Sequence, residues 1–81
     1  MISCNEYDYI EIACMHRYPI RITLKTGQEV DCIALDTLRN DAGEECIKVN
    51  INDLESFVVL DAIASLQIRI KNPHFESVYF S

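Results

Sequence analysis

Three carboxylates and two tyrosines crowd one short stretch of this 81-residue chain. Within "SCNEYDYIEIACMH", residues 3–16, the acids are Glu6, Asp8 and Glu11, and the tyrosines are Tyr7 and Tyr9. Asp8 and Glu11 stand three apart, so on a helix they share one turn and can perturb each other's ionisation. Such a pair does acid–base work only where a pocket excludes water, and a small domain with a thin core has little room for one. A serine nucleophile elbow and a glycine-rich phosphate loop are both missing, and the chain has two glycines in all. No catalytic residue is assigned, and the chain is not expected to be an enzyme.

Metal chemistry is no better supported. His16 and His74 stand at ligand spacing from no other His or Cys. Cys4, Cys14, Cys32 and Cys46 lack the two-residue spacing of a zinc knuckle. No signal peptide is visible, since the first cation is Arg17. The expected compartment is therefore the reducing cytoplasm, and the expected state of the four cysteines is the free thiol. No metal and no cofactor are expected. A redox or metal sensor built on the cysteines is the third and weakest function class.

Charge sorts the possible partners. Seven Lys and Arg against 13 Asp and Glu give a net charge of −6. That sign opposes nucleic acid and anionic membranes. It favours a basic protein partner through long-range attraction. Arg17, Arg21 and Lys25 form the one basic cluster, and its simplest role is to balance nearby acids. No apolar run approaches the ~20 residues that span a bilayer.

Certain elements must position these groups. Ser3 and Glu6 have capping-box spacing, with Asn5 as a competing cap, so a helix is expected over about residues 5–17. On a helical wheel Tyr7, Tyr9, Ile10, Ala13 and Cys14 share a core-facing arc, with Asp8, Glu11, Ile12 and Met15 opposite. From Pro19 the period changes to two: Ile20, Ile22 and Leu24 alternate with Arg21, Thr23 and Lys25. Gly27 suits a hairpin connection, and a return strand is expected over about Glu29–Asp36. Residues 37–45 read as a loop, Cys46–Val49 as a strand and residues 50–53 as a turn. Residues 56–70 read as one long strand or two, broken near Asp61–Ala64. A turn at Pro73 and a closing strand in "SVYF" complete the order. The fold class is mainly β with one N-terminal helix, in a small, strongly bent antiparallel sheet or barrel, and residues 1–81 form one domain.

The opening stretch, followed by "KTGQE" and "VDCIALD", resembles the Rof family of Rho-binding antiterminators. That family opens on Cys, two mostly acidic positions, Tyr-Asp, a variable residue and then an alternating Leu-Glu-Leu-Ala-Cys. Here the matching run is Cys4 to Cys14. The resemblance covers residues 3 to about 36, returns weakly at "LDAIASL", and does not extend to residues 38–56. Departures are Asn5 for an acid, Tyr9 for a small polar residue and Arg17 for a His.

The resemblance implies an Sm-like fold and inhibition of Rho-dependent termination. The partner would be the primary RNA-binding site on Rho's N-terminal domain, where the protein competes with RNA. Glu6, Tyr7, Asp8, Tyr9 and Glu11 would be partner contacts, with Arg39 and Asn40 as a second candidate surface. An RNA-attracting site carries cations and stacking surface, so acids beside aromatic rings are what a competitor needs. The alternative is an Sm-like RNA-binding module, which needs a basic concave surface.

Overall fold

In the computed structural model, residues 4–70 and 77–80 are described, leaving aside the side chains at 4–6 and 78. Helix α1 (Cys4–Met15) leads into β1 (Pro19–Leu24) and β2 (Glu29–Arg39). After these come β3 (Glu45–Ile51), β4 (Leu54–Val59), a 3-10 turn at Leu60–Ala62, β5 (Ile63–Ile68) and β6 (Ser77–Tyr79). All pairings are antiparallel, in one sheet of order β4-β3-β2-β1-β5-β6.

Connection lengths force that sheet to curl. β4 and β5 are four strand spacings apart in the order, which in a flat sheet would be about 19 Å. The link between Val59 and Ile63 spans at most about 14 Å even when extended. The sheet therefore rolls until β3 meets the 3-10 turn. The Lys25 N–H locks the roll from the other side by donating to the Ala62 carbonyl at 2.9 Å. The mainly-β fold with one helix is thus as expected. Its form is a curled sheet with β4 and β6 at its ends.

The inner face is one apolar cluster. It gathers Ile10, Ala13 and Cys14 from α1, Ile20 and Ile22 from β1, and Cys32 and Ala34 from β2. Tyr18, Ile47, Val49, Leu60, Ile63, Leu66, Ile68 and Phe80 complete it.

Several boundaries differ from the sequence expectation, each for a local reason. α1 ends at Met15, not near residue 17, because Arg17 takes a left-handed backbone, with φ of 52°. Arg17 N–H then donates to the Cys14 carbonyl and Tyr18 N–H to the Ala13 carbonyl, the paired bonds of a Schellman cap. β2 runs on to Arg39 and β3 starts at Glu45, so the expected nine-residue loop shrinks to residues 40–44. The turn after β3 is Asn52–Asp53 alone, with φ of 52° and 69°, the left-handed pair that a two-residue hairpin requires. The break expected near Asp61–Ala64 is the 3-10 turn. The expected turn at Pro73 lies outside the described residues.

The wheel also needs correcting. Tyr9 is 38% exposed instead of lying on the core arc, while Ile12, expected outside, packs against the core. α1 packs chiefly on β2, and Ile12 reaches the core beside Ile10 and Ala13, so a one-stripe wheel does not describe it.

Candidate functional site

The helix presents two kinds of side chain to two surroundings. Ile10 and Ala13 are fully buried and Cys14 nearly so, which fixes one side of α1 against the sheet. Asp8, Glu11 and Met15 follow at helical spacing on the opposite, exposed side, and Met15 is 75% exposed. Among the described residues, neither Asp8 nor Glu11 has a hydrogen-bond or ion-pair partner. Tyr7 is half-buried and packs against the core, and Tyr9 stands at the exposed margin. Glu6 lies in the first turn of α1, with its side chain outside the described set.

β2 completes this face with a residue that was not assigned to it. Glu11, Cys14 and Met15 line a shallow cleft of about 230 Å³ together with Leu35, Asp36 and Thr37. Asp36 is exposed, and its Oδ1 accepts from Thr37 N–H at 2.8 Å. A β-bulge between Ala34 and Asp36 places it there. Without the bulge, Asp36 would continue the inward series Val30, Cys32, Ala34 and put a carboxylate into the core. The extra residue turns it outward. An acid at an inward position in an otherwise apolar series is the signal in the sequence that could have flagged both the bulge and the residue.

Cys14 reports the field of this cleft. Its thiol is pushed up to about 12, first by burial, then by the charges of Asp36 and Glu11. Cys32 is likewise raised to about 11 by burial and then by Asp31. Thiols held neutral in this way are neither nucleophiles nor ready metal ligands at pH 7. Cys14, Cys32 and Cys46 are free and buried, while the side chain of Cys4 lies outside the described set. Among the described residues, no three His, Cys, Asp or Glu converge to hold a metal ion.

Arg39 and Asn40 sit in different circumstances. Arg39 Nη1 donates to the Gly43 carbonyl at 2.9 Å, and its Nη2 meets Glu45 Oε1 at 3.1 Å. Asn40 Oδ1 accepts from the N–H groups of Ala42 and Glu44, at 3.0 and 2.9 Å, while its Nδ2 donates to Glu44 Oε1. These two side chains hold the β2–β3 loop in shape. The structure joins Glu11 to β2 through the cleft, whose lining stops at Thr37, two residues short of Arg39.

The cations are largely engaged elsewhere. Arg21 makes two bonds to Asp31, at 2.8 and 3.3 Å, and Arg69 reaches the same carboxylate at 3.4 Å. The hydrogen bond from Arg21 is the main reason Asp31 titrates below the usual carboxylate range. Lys48 pairs with Glu55 at 3.2 Å. The expected basic cluster is therefore, at Arg21, a balance for acids.

Comparison with known proteins agrees with this architecture. The chain matches the ROF family, described as modulator of Rho-dependent transcription termination, over residues 1–80. It is similar to the solved structure of YaeO bound to magnesium from Vibrio cholerae O395, at 33% identity and a TM-score of 0.87. That likeness covers 93% of this chain and 97% of the other. No curated protein matches.

Proposed function

This chain belongs to the ROF family of modulators of Rho-dependent transcription termination, and we propose that it inhibits Rho by laying the exposed face of α1 on Rho's RNA-binding surface. The observation that carries this reading is the pair Asp8 and Glu11, exposed and without partners among the described residues. A carboxylate that is solvated in the free protein is available to a cation of the partner. One already committed to an internal ion pair is not.

The roles divide by position. Asp8 and Glu11, extended by Asp36, supply negative charge where RNA would supply phosphate. Tyr9 offers ring area at the margin of the face, the kind of anchor that contributes strongly when desolvated. Tyr7 supports the helix from the core side. Glu6 joins the set by its place in the first turn. Arg39 and Asn40 act at the edge of the surface by keeping the β2–β3 loop in one shape. Residues 1–81 act as one domain in the cytoplasm, where Rho meets nascent RNA. No described helix is long and apolar enough to cross a membrane. YaeO from V. cholerae was solved bound to magnesium. The described acids of this chain do not converge on a cation site, and no step of this reading runs through a metal.

The RNA-binding alternative asks for free cations on a concave surface. Arg21, Arg39, Lys48 and Arg69 are each paired with a carboxylate, which favours the inhibitor reading. The test is a pull-down with purified Rho, with and without a pyrimidine-rich RNA, beside a purified termination assay. Retention of Rho that declines as RNA is added, together with increased read-through, is the expected outcome. Read-through that stays constant at saturating protein would refute it.

A further inference from the structure

The cleft between α1 and β2 has the scale of one side chain. Its volume of about 230 Å³ lies below the roughly 300–1,000 Å³ of small-molecule sites. Its lining joins two kinds of chemistry. Met15 and Leu35 supply apolar surface, while Glu11 from α1 and Asp36 from β2 each add a carboxylate. Glu11 has no hydrogen-bond or ion-pair partner among the described residues. Asp36 commits only Oδ1, which accepts from Thr37 N–H at 2.8 Å. Cys14 lines the same cleft although it is only 8% exposed, and its Sγ has no hydrogen-bond partner among the described residues. Burial, then the charges of Asp36 and Glu11, raise that thiol to about 12, so the field of both carboxylates reaches the buried end of the cleft.

That environment selects its occupant. A cation answers the two carboxylates, and an apolar stem answers Met15 and Leu35. No basic residue of this chain lines the cleft, and Arg21, Arg39, Lys48 and Arg69 pair with other carboxylates. Lysine and arginine both have the stem, and they differ at the head. An ammonium is a strongly hydrated point charge with three donors. A guanidinium is more weakly hydrated and holds five N–H donors in a planar fork. Carboxylates on two separate elements, with the Thr37 hydroxyl and the Cys14 sulfur beside them, ask for donors in several directions at once. The guanidinium meets that demand and loses less on leaving water.

We propose that this cleft is the socket for one arginine side chain of the partner, with its stem against Met15 and Leu35 and its guanidinium donating to both Glu11 and Asp36. The inference rests on the reading of α1 as the Rho-facing surface, and it adds Asp36 as the residue that selects arginine over lysine. The two carboxylates belong to different elements, so only the folded joint of helix and sheet presents them as a pair. The bulge between Ala34 and Asp36 is what brings the second one out of the core.

The probe is N-acetyl-arginine-N-methylamide, titrated into the 15N-labelled full chain beside the lysine analogue of equal charge. Chemical-shift changes should centre on Glu11, Met15 and Leu35–Thr37. The lysine analogue should bind at least about fivefold more weakly. Asp36→Asn keeps an acceptor for Thr37 N–H and removes the charge, so the melt should hold while binding of the arginine analogue falls about tenfold. Affinity for Rho should fall about tenfold in the same variant. Asp53→Asn removes one charge from an exposed residue outside the cleft, and it should change either affinity by less than about twofold. Equal binding of the two analogues, shifts centred elsewhere, or Asp36→Asn behaving like Asp53→Asn would overturn the proposal. Should Asp8→Asn with Glu11→Gln still weaken Rho binding in that last case, the helix reading stands and the socket alone falls. Should the chain not bind Rho at all, the helix reading falls, and the arginine titration alone decides the socket.

Discussion

The exposed face of α1 and the loop between β2 and β3 carry the same kinds of group but commit them differently. In the loop, Arg39 and Asn40 direct their polar atoms to Gly43, Glu45, Ala42 and Glu44. On the helix, Asp8 and Glu11 have no such commitments among the described residues. The difference teaches that residue type alone does not mark a contact surface. What separates the two regions is polar capacity that the fold leaves unused on the helix. A group that satisfies its own loop would have to break those bonds to meet a partner, while a solvated carboxylate loses only water.

The largest expected effect tests the helix side of this comparison. Asp8→Asn combined with Glu11→Gln keeps shape and removes both charges. Affinity for Rho should fall by about 1–3 kcal/mol per charge where the contact is desolvated, and less where salt screens it. The melting temperature should change little, since a surface carboxylate near a helix N-terminus contributes only about 0.3–1 kcal/mol. Binding measured at low and high salt should show a shallower salt dependence than the parent. Unchanged affinity would mean the acids serve only the helix.

The loop side predicts the opposite pattern. Asn40→Ala removes the acceptor for two backbone N–H groups and should cost about 1–2 kcal/mol of stability. Thermal melts should show that loss, while affinity for Rho at 25 °C should fall far less than in the helix double variant, since the loop meets the partner only at the edge of the surface. A variant with an unshifted melt and weakened binding would move Asn40 into the contact and erase the distinction between the two regions.

Much of the fold was legible in the sequence, though unevenly, while the different commitments of the helix face and the loop were not: Arg39 and Asn40 read as contacts alongside the helix residues. The helix, the first hairpin around Gly27 and the break near Asp61 follow from glycine and periodicity, which are local signals, while the side chains of the capping box read at Ser3 and Glu6 lie outside the described set. The extent of β2 was not legible. Thr37, Leu38 and Arg39 read as loop because their polarity is high, yet pairing with Ile47, Cys46 and Glu45 holds them in the sheet. That is long-range context overriding local composition. Tyr9 and Ile12 exchanged faces because the roll of α1 is set by its packing on β2 and the core, not by its own periodicity. Asp36 was missed because a bulge shifts register without any turn residue to announce it. The acids of the candidate site were read from sequence, but the neighbour that lines the same cleft, Asp36, needed the fold.

The cleft between the two elements gives a pH test at which the carboxylates and the core meet. Cys14 is ordinarily near 9 and is raised to about 12 in the folded chain, mainly by burial. A group raised on folding contributes its full stabilisation below the unfolded value and loses it as pH climbs toward the folded one. Denaturation midpoints should therefore show no Cys14 contribution to pH dependence through neutrality, and a decline should begin above about pH 9. Cys14→Ser should flatten part of that decline. At pH 8, native Cys14 should react with a thiol reagent far more slowly than in the denatured chain, and equal rates would contradict the burial.

The smallest effect separates the placement of the helix from its charge. Arg17 holds φ of 52° at the end of α1, where its backbone must turn left-handed to let Tyr18 N–H reach the Ala13 carbonyl at 3.0 Å. A side chain in that conformation costs about 1–2 kcal/mol relative to a right-handed one. Glycine removes the penalty but gives the unfolded chain more freedom, which offsets part of the gain. Arg17→Gly should therefore stabilise by about 0.5–1 kcal/mol on balance, visible as a rise in melting temperature. Arg17 lies past the last turn of α1, beyond Asp8, Glu11 and Met15, so affinity for Rho should hold once the longer-range loss of one cation is allowed for. Because that loss makes the chain more acidic, any small change should be toward tighter binding at low salt and should vanish at high salt. A more stable variant that binds Rho more weakly would show that Arg17 itself touches the partner, and the contact surface would then have to extend around the C-terminal end of the helix toward His16 and Tyr18.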